Sequence, residues 1–194
     1  MDDVLAEVEA PRRLFTVEEY YRMADAGVFT PEERVELIEG EVIAMTPIGS
    51  RHMSCVARLT HRLASMLGER ALVWPQGNAV FLRPRSVPQP DVAVIRTRGD
   101  HYAEAGPEPA DVLFLVEVAD TSYRYDRRTK LPLYARHGVA EVWIVDLRSD
   151  VVELHRLPNG ERYTDEQRVT RGGTIALRTL PDVSIAVDDF LPPA

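Results

Sequence analysis

Asp91 and Glu117 each stand at the edge of an apolar, β-branched run. Asp91 opens Pro90-Asp91-Val92-Ala93-Val94-Ile95, and Glu117 closes Val112-Leu113-Phe114-Leu115-Val116-Glu117-Val118. A carboxylate on a buried strand is costly unless something pairs with it or coordinates it. Two such strands side by side offer two hard oxygen ligands to one divalent cation. A lysine follows at Lys130. Phosphodiester hydrolysis calls for this set: carboxylates to hold a metal that lowers the pKa of water, and a cation to neutralise charge building on the phosphate. Taken singly, each residue has a plainer use. Asp91 after a proline suits a turn or cap, Glu117 a buried ion pair with Arg or Lys, and Lys130 a solvated helix position.

The three occur in a context that narrows the choice. Pro90-Asp91 followed by Glu117 resembles the PD-(D/E)xK nuclease signature. The stretch Leu115-Val116-Glu117-Val118, then Asp126-Arg127-Arg128-Thr129-Lys130-Leu131-Pro132-Leu133-Tyr134, then Glu141-Val142-Trp143-Ile144-Val145-Asp146 resembles the Uma2 (DUF820-like) family of restriction-endonuclease-like proteins. Glu36-Leu37-Ile38-Glu39-Gly40-Glu41-Val42 and Gln89-Pro90-Asp91-Val92 fit that family too, so the resemblance covers roughly residues 14–190. It implies an α/β (α+β) fold, restriction-endonuclease-like, with a mixed β-sheet flanked by helices and additional β-hairpins. It also implies an endonuclease that cuts DNA with Mg²⁺, for which Mn²⁺ substitutes. Asp91 and Glu117 are then the metal ligands, with the Val118 carbonyl, and Lys130 polarises the water or the phosphate. The superfamily lysine usually falls two residues after the glutamate, where this chain has Ala119; the family-like lysine sits on the following helix. Glu36, Glu39 and Glu41 compete for a further acidic role, and Glu39 is the one taken as catalytic. Gln89, just before the Pro-Asp pair, His52 at a helix start, and Tyr134, four residues after Lys130, are candidate substrate contacts.

The elements that must position these residues follow from periodicity. Thr16 and Glu19 form a capping box for a helix reaching about Ala26. Val35–Ile38 and Glu41–Met45 read as a hairpin around Glu39-Gly40. Met53, Val56, Leu59, Leu63 and Leu67 define an amphipathic helix from about Gly49 to Gly68. Strands are expected near Ala71–Pro75 and Asn78–Leu82, then at Asp91 and Glu117 with a loop over 96–111 between them. Asp126 to His137 reads as a helix. Pro132 within it requires either a start near Thr129 or a kink. Glu141–Asp146 follows as a strand, so the Glu117 strand, this helix and the Trp143 strand form a β-α-β unit with parallel strands. Val151–Leu157 returns as a hairpin, and short strands run on to Asp188.

Composition bounds the rest. At 194 residues, 45% hydrophobic and 28% charged, the chain suits one globular domain over 14–194, preceded by an N-terminal arm at 1–13. No apolar run approaches the roughly 18 residues of a membrane span. The acidic start lacks a signal-peptide core, so a cytoplasmic location is expected. A lone cysteine, Cys55, excludes an internal disulfide. Five scattered histidines show no zinc-ligand spacing. The net charge of −8 argues against nonspecific DNA coating, though not against a local basic cleft. Two further functions stay open: a binding module of the same fold with weak or no catalysis, and a hydrolase of a smaller phosphorylated substrate. A homodimer suits an enzyme that cuts both strands of a duplex.

Overall fold

The computed structural model describes residues 12–30 and 32–193. The expected 1–13 arm falls almost wholly outside them. Helix α1 (Val17–Asp25) starts at the Thr16 capping box, with both reciprocal bonds formed at 3.2 and 3.0 Å. Strands β1 (Val35–Ile38) and β2 (Glu41–Ala44) pair as a two-stranded hairpin. Its turn residues Glu39 and Gly40 have φ of 50° and 86°, the signature of a turn with both central residues left-handed. Gly40 is required twice over, because a Cβ there would lie 2.6 Å from the Leu14 Cβ.

Helix α2 (Ser50–Leu67) follows and buries Cys55, Val56, Leu59, Leu63 and Leu67 as one stripe. Strands β3 (Leu72–Pro75), β4 (Val92–Ile95), β5 (Val112–Ala119), β6 (Glu141–Asp146), β7 (Val151–Asn159) and β8 (Arg162–Thr170) form one sheet in that spatial order. Only β5 and β6 are parallel, the pair that the β-α-β pattern predicts. The strand expected at Asn78–Leu82 does not form. That stretch is irregular, with a single bridge between Leu82 and Ser86, because the prolines that follow at 84, 88 and 90 cannot donate to a ladder. Beyond Asn159 the chain is more regular than expected: β8 is nine residues long, and β9 (Thr174–Ala176) pairs with β10 (Ser184–Ala186).

Alternation along β4 and β5 sorts the two faces of the sheet. Val92, Val94, Phe114, Val116 and Val118 pack with α2 and the C-terminal segment, and Phe114 stacks on Trp143 at 4.7 Å. Ala93, Ile95 and Leu115 pack on the opposite side with Leu133, Tyr134 and Ala135. Each large side chain buried in this way contributes roughly 1.5–3 kcal/mol. Glu117 takes the face of Leu115, beneath the helical segment that carries Lys130.

That segment begins earlier than expected. It runs through α3 (Tyr123–Tyr125), a π turn (Asp126–Lys130) and α4 (Leu131–Arg136) without a break. The Leu131 N–H donates to the Asp126 carbonyl, five residues back. Pro132 lacks an N–H and its ring crowds the carbonyl of the preceding turn. The wider π turn just ahead of it accommodates both demands, and such turns recur at functional sites. Neither a start at Thr129 nor a sharp kink is needed. Among the described residues no helix is long and apolar enough to cross a membrane.

Candidate active site

Val92 pairs with Val116 across antiparallel β4 and β5, so one step further Asp91 falls opposite Glu117. Both are buried, as are Glu36 from β1 and Lys130 from the π turn. The Lys130 ammonium lies 3.1 Å from Glu36 Oε2 and 3.4 Å from Glu117 Oε1. It points to the carboxylates rather than to solvent, as the displaced-lysine reading requires. These groups line a cavity of about 330 Å³ together with Asp126 and His52.

The carboxylates are held in fixed orientations. Asp91 Oδ2 accepts from the Val118 N–H at 2.8 Å and from His52 Nε2 at 3.0 Å, while Gln76 Nε2 donates to Oδ1. Glu117 Oε1 accepts from the Tyr134 hydroxyl at 2.5 Å. Ser122 Oγ donates to Asp126 Oδ2 at 2.6 Å. Four carboxylates thus face one ammonium, an excess of negative charge that shows in the proton affinities of Glu117 and Asp126. Burial pushes the Glu117 carboxyl well above the ordinary value against the pull of Lys130, and Asp126 and Asp91 add to the rise. Burial likewise lifts Asp126 to about 6. Desolvation opposes the charge on Lys130, but Glu117, Glu36, Asp126 and Asp91 outweigh it and hold the ammonium protonated far above its usual range.

Asp91, Glu117, Lys130, Gln89 and His52 all line the cavity. Three other expected residues, Glu39, Tyr134 and Val118, do not. Glu39 sits in the hairpin turn, outside the cavity lining, and its carboxylate pairs with Arg136 at 2.7 Å. The alternation of β1 explains the correction: Glu36 points inward, where its Oε2 also accepts from the Gln89 N–H, and the turn carries Glu39 out. Tyr134 is fully buried beside Glu117 and orients that carboxylate instead of lining the cavity. Val118 contributes its N–H to Asp91. Gln89 donates its side-chain amide to the Val35 carbonyl at 2.9 Å. Asp126 and Gln76 were not anticipated. Asp126 had a signal in its place four residues before Lys130, whereas Gln76 comes from a loop with no pattern of its own.

The donor set fits a hard divalent cation. Mg²⁺ is characteristically bound by one or two carboxylates plus waters and substrate phosphate, rather than by a full protein cage. Among the described residues no group of three or more His, Cys, Asp or Glu side chains is disposed to hold a metal ion by itself. Asp91 and Glu117 offer two ligands with capacity to spare. Glu117 Oε2 takes no bond from the described residues, and Asp91 uses three of about four lone-pair positions.

The fold is shared with a solved structure. A crystal structure described as that of a putative nuclease belonging to DUF820, from Anabaena variabilis ATCC 29413, superposes with a TM-score of 0.70. The match covers 91% of this chain and 97% of that one at 14% sequence identity. The fold class is therefore the expected one, a mixed sheet flanked by helices with extra hairpins. The sequence profile of Uma2, described as a putative restriction endonuclease, matches residues 17–188, and the chain belongs to that family. No curated protein matches it.

Proposed function

We propose that this protein is a metal-dependent endonuclease that hydrolyses DNA phosphodiester bonds. The observation that carries the reading is the placement of Asp91 opposite Glu117 on adjacent strands, with the Lys130 ammonium 3.4 Å from Glu117. Asp91 and Glu117 would hold Mg²⁺ or Mn²⁺, which when bound supplies a Lewis acid and a water of lowered pKa. The Val118 N–H and His52 hold Asp91 by one oxygen. Tyr134 holds Glu117 by Oε1, and Oε2 takes no bond from the described residues. Lys130 retains its proton at Nζ, so it acts as a fixed positive charge for the developing phosphate oxyanion rather than as a base. Glu36 also pairs with the ammonium, at 3.1 Å.

One observation favours a second reading, a binding module of the same fold without catalysis: Ala119 is buried where the superfamily lysine usually stands. Calorimetric titration of Mn²⁺ into the protein and into Asp91→Ala separates the two. Binding that Asp91→Ala abolishes supports the metal site, and equal heats from both proteins refute it. A supercoiled-plasmid nicking assay then tests the hydrolase itself.

A further inference from the structure

Another buried carboxylate, Glu153 on β7, stands outside the cavity. It is 3% exposed and takes no part in the cavity lining. Register places it opposite Ile144 of β6, and Ile144 opposite Glu117 of β5. Residues paired across neighbouring strands share a face, so Glu153 and Glu117 both lie beneath the helical segment. Strands are about 4.8 Å apart, which sets the two carboxylate positions roughly 10 Å apart along the row. The fully buried Ile144 separates them. A charge on a buried strand is costly unless it is paired. Glu117 meets Lys130, and Glu153 meets Arg127, a residue of the same five-residue π turn.

The second anchor is a closed set of contacts. Arg127 Nη1 donates to Glu153 Oε2, and the Tyr123 hydroxyl donates to Oε1 at 3.0 Å. Arg127 Nη1 also donates to the Tyr123 hydroxyl at 3.3 Å, which ties the two together. Arg168 of β8 stands further off, 3.5 Å from Oε1, on an exposed side chain. His155 lies 3.5 Å from Oε2, yet neither of its ring nitrogens is hydrogen-bonded among the described residues, and burial holds its pKa down. Arg127 is therefore the main cation answering Glu153. Tyr123 lies in α3, Arg127 early in the π turn and Lys130 at its end. One ion pair fixes a point on a helical segment. Two of them, on separate strands of one sheet, also fix its rotation and its slide along the sheet. Asp126 sits beside Arg127 in this turn, so both cavity residues of the turn depend on where it is held. Such placement matters to chemistry, because a shift of about 1 Å in a reacting group costs on the order of a hundredfold in rate.

We infer that Glu153 is a positioning residue: through Arg127 and Tyr123 it fixes the π turn, and the π turn delivers Lys130 and Asp126 to the cavity. This rests on the nuclease reading above and adds to it a residue remote from the metal ligands. Lys130 is the only lysine of the chain, so labelling with ¹⁵N-lysine gives a single side-chain ammonium resonance. Wild type, Glu153→Gln and Tyr123→Phe are compared by that resonance, by plasmid nicking at saturating Mn²⁺ and by Mn²⁺ calorimetry. Tyr123→Phe changes no charge, so a shifted resonance there reports displacement of Lys130. Both variants should shift the resonance. Nicking should fall about tenfold in Tyr123→Phe and up to about a hundredfold in Glu153→Gln. Mn²⁺ affinity should stay within about twofold of wild type, since neither residue touches Asp91 or Glu117. Arg127→Met combined with Glu153→Gln should be no slower than the worse single variant, because both break one contact. If Glu153→Gln fails to fold, Tyr123→Phe and Arg127→Met, at half-buried positions, decide the matter. In a folded variant, an unmoved resonance or an unchanged rate overturns the inference and leaves an ion pair that serves stability alone. A rate loss matched by lost Mn²⁺ affinity also overturns it. If the wild type does not nick, the nuclease reading falls, and the resonance alone decides whether Glu153 positions Lys130.

Discussion

Replacing Asp126 by Asn should stabilise the metal-free protein, and by an amount that depends on pH. Burial lifts this carboxyl from 3.8 to about 6, with Lys130 and Ser122 opposing the rise. A carboxyl that binds its proton more tightly folded than unfolded contributes stability below the unfolded pKa and loses it as pH rises through the folded one. The loss therefore runs from about pH 4 to pH 6 and is complete by pH 8. A rise of about two pH units at 1.36 kcal/mol each gives roughly 3 kcal/mol. Asn is neutral throughout, and its side-chain oxygen still accepts from Ser122. Chemical denaturation in EDTA at pH 4 and pH 8 measures the difference. Asp126→Asn should match the wild type within error at pH 4 and exceed it by about 2–3 kcal/mol at pH 8. A variant no more stable than the wild type at pH 8 would refute the account of crowded, under-compensated carboxylates. It would mean that Asp126 is already paired well enough to be neutral in effect.

The same crowding makes other outcomes specific. Lys130→Ala should abolish most plasmid nicking even at saturating Mn²⁺, because it removes the charge that meets the developing oxyanion; kinetics at saturating metal checks this. Lys130→Met should cost about 3–5 kcal/mol in the metal-free protein, since it leaves buried carboxylates without their cation, and denaturant melts at neutral pH measure it. Tyr134→Phe should cost about 1.5–3 kcal/mol, the worth of a hydrogen bond to a charged group, with no gain in cavity size; unfolding of the two proteins side by side reads this. Mn²⁺ binding should release protons and tighten with pH between 5 and 8, because Glu117 and Asp126 hold theirs above the ordinary carboxylate range; affinity flat with pH would contradict a shared carboxylate site.

Much of this site was legible in the residue pattern. The runs around Asp91 and Glu117 are β-branched and apolar enough to be buried strands, and a charged residue in each is conspicuous. The parallel β5–β6 pair followed from the intervening helical stretch. The failures have local causes. Glu36 and Glu39 belong to one short acidic hairpin, and alternation alone does not tell which face of a four-residue strand meets the core. The turn geometry at Glu39 and Gly40, with the sheet's position over β1, decides it. The strand expected at 78–82 was a propensity reading that the downstream prolines override. The π turn has no simple sequence signature, yet it places Asp126 and Lys130 in the same cavity. Gln76 reaches Asp91 from an irregular loop, where no periodicity points to it.

Crystals grown with Mn²⁺ test the central claim most directly, through the anomalous signal at the manganese edge. The account predicts one peak between the Asp91 and Glu117 carboxylates, with oxygen distances of about 2–2.6 Å. It predicts no such peak in Asp91→Ala crystals grown alongside. A cavity without signal at saturating Mn²⁺, or a peak held by other residues while Lys130 still bridges Glu36 and Glu117, would contradict the metal-dependent mechanism.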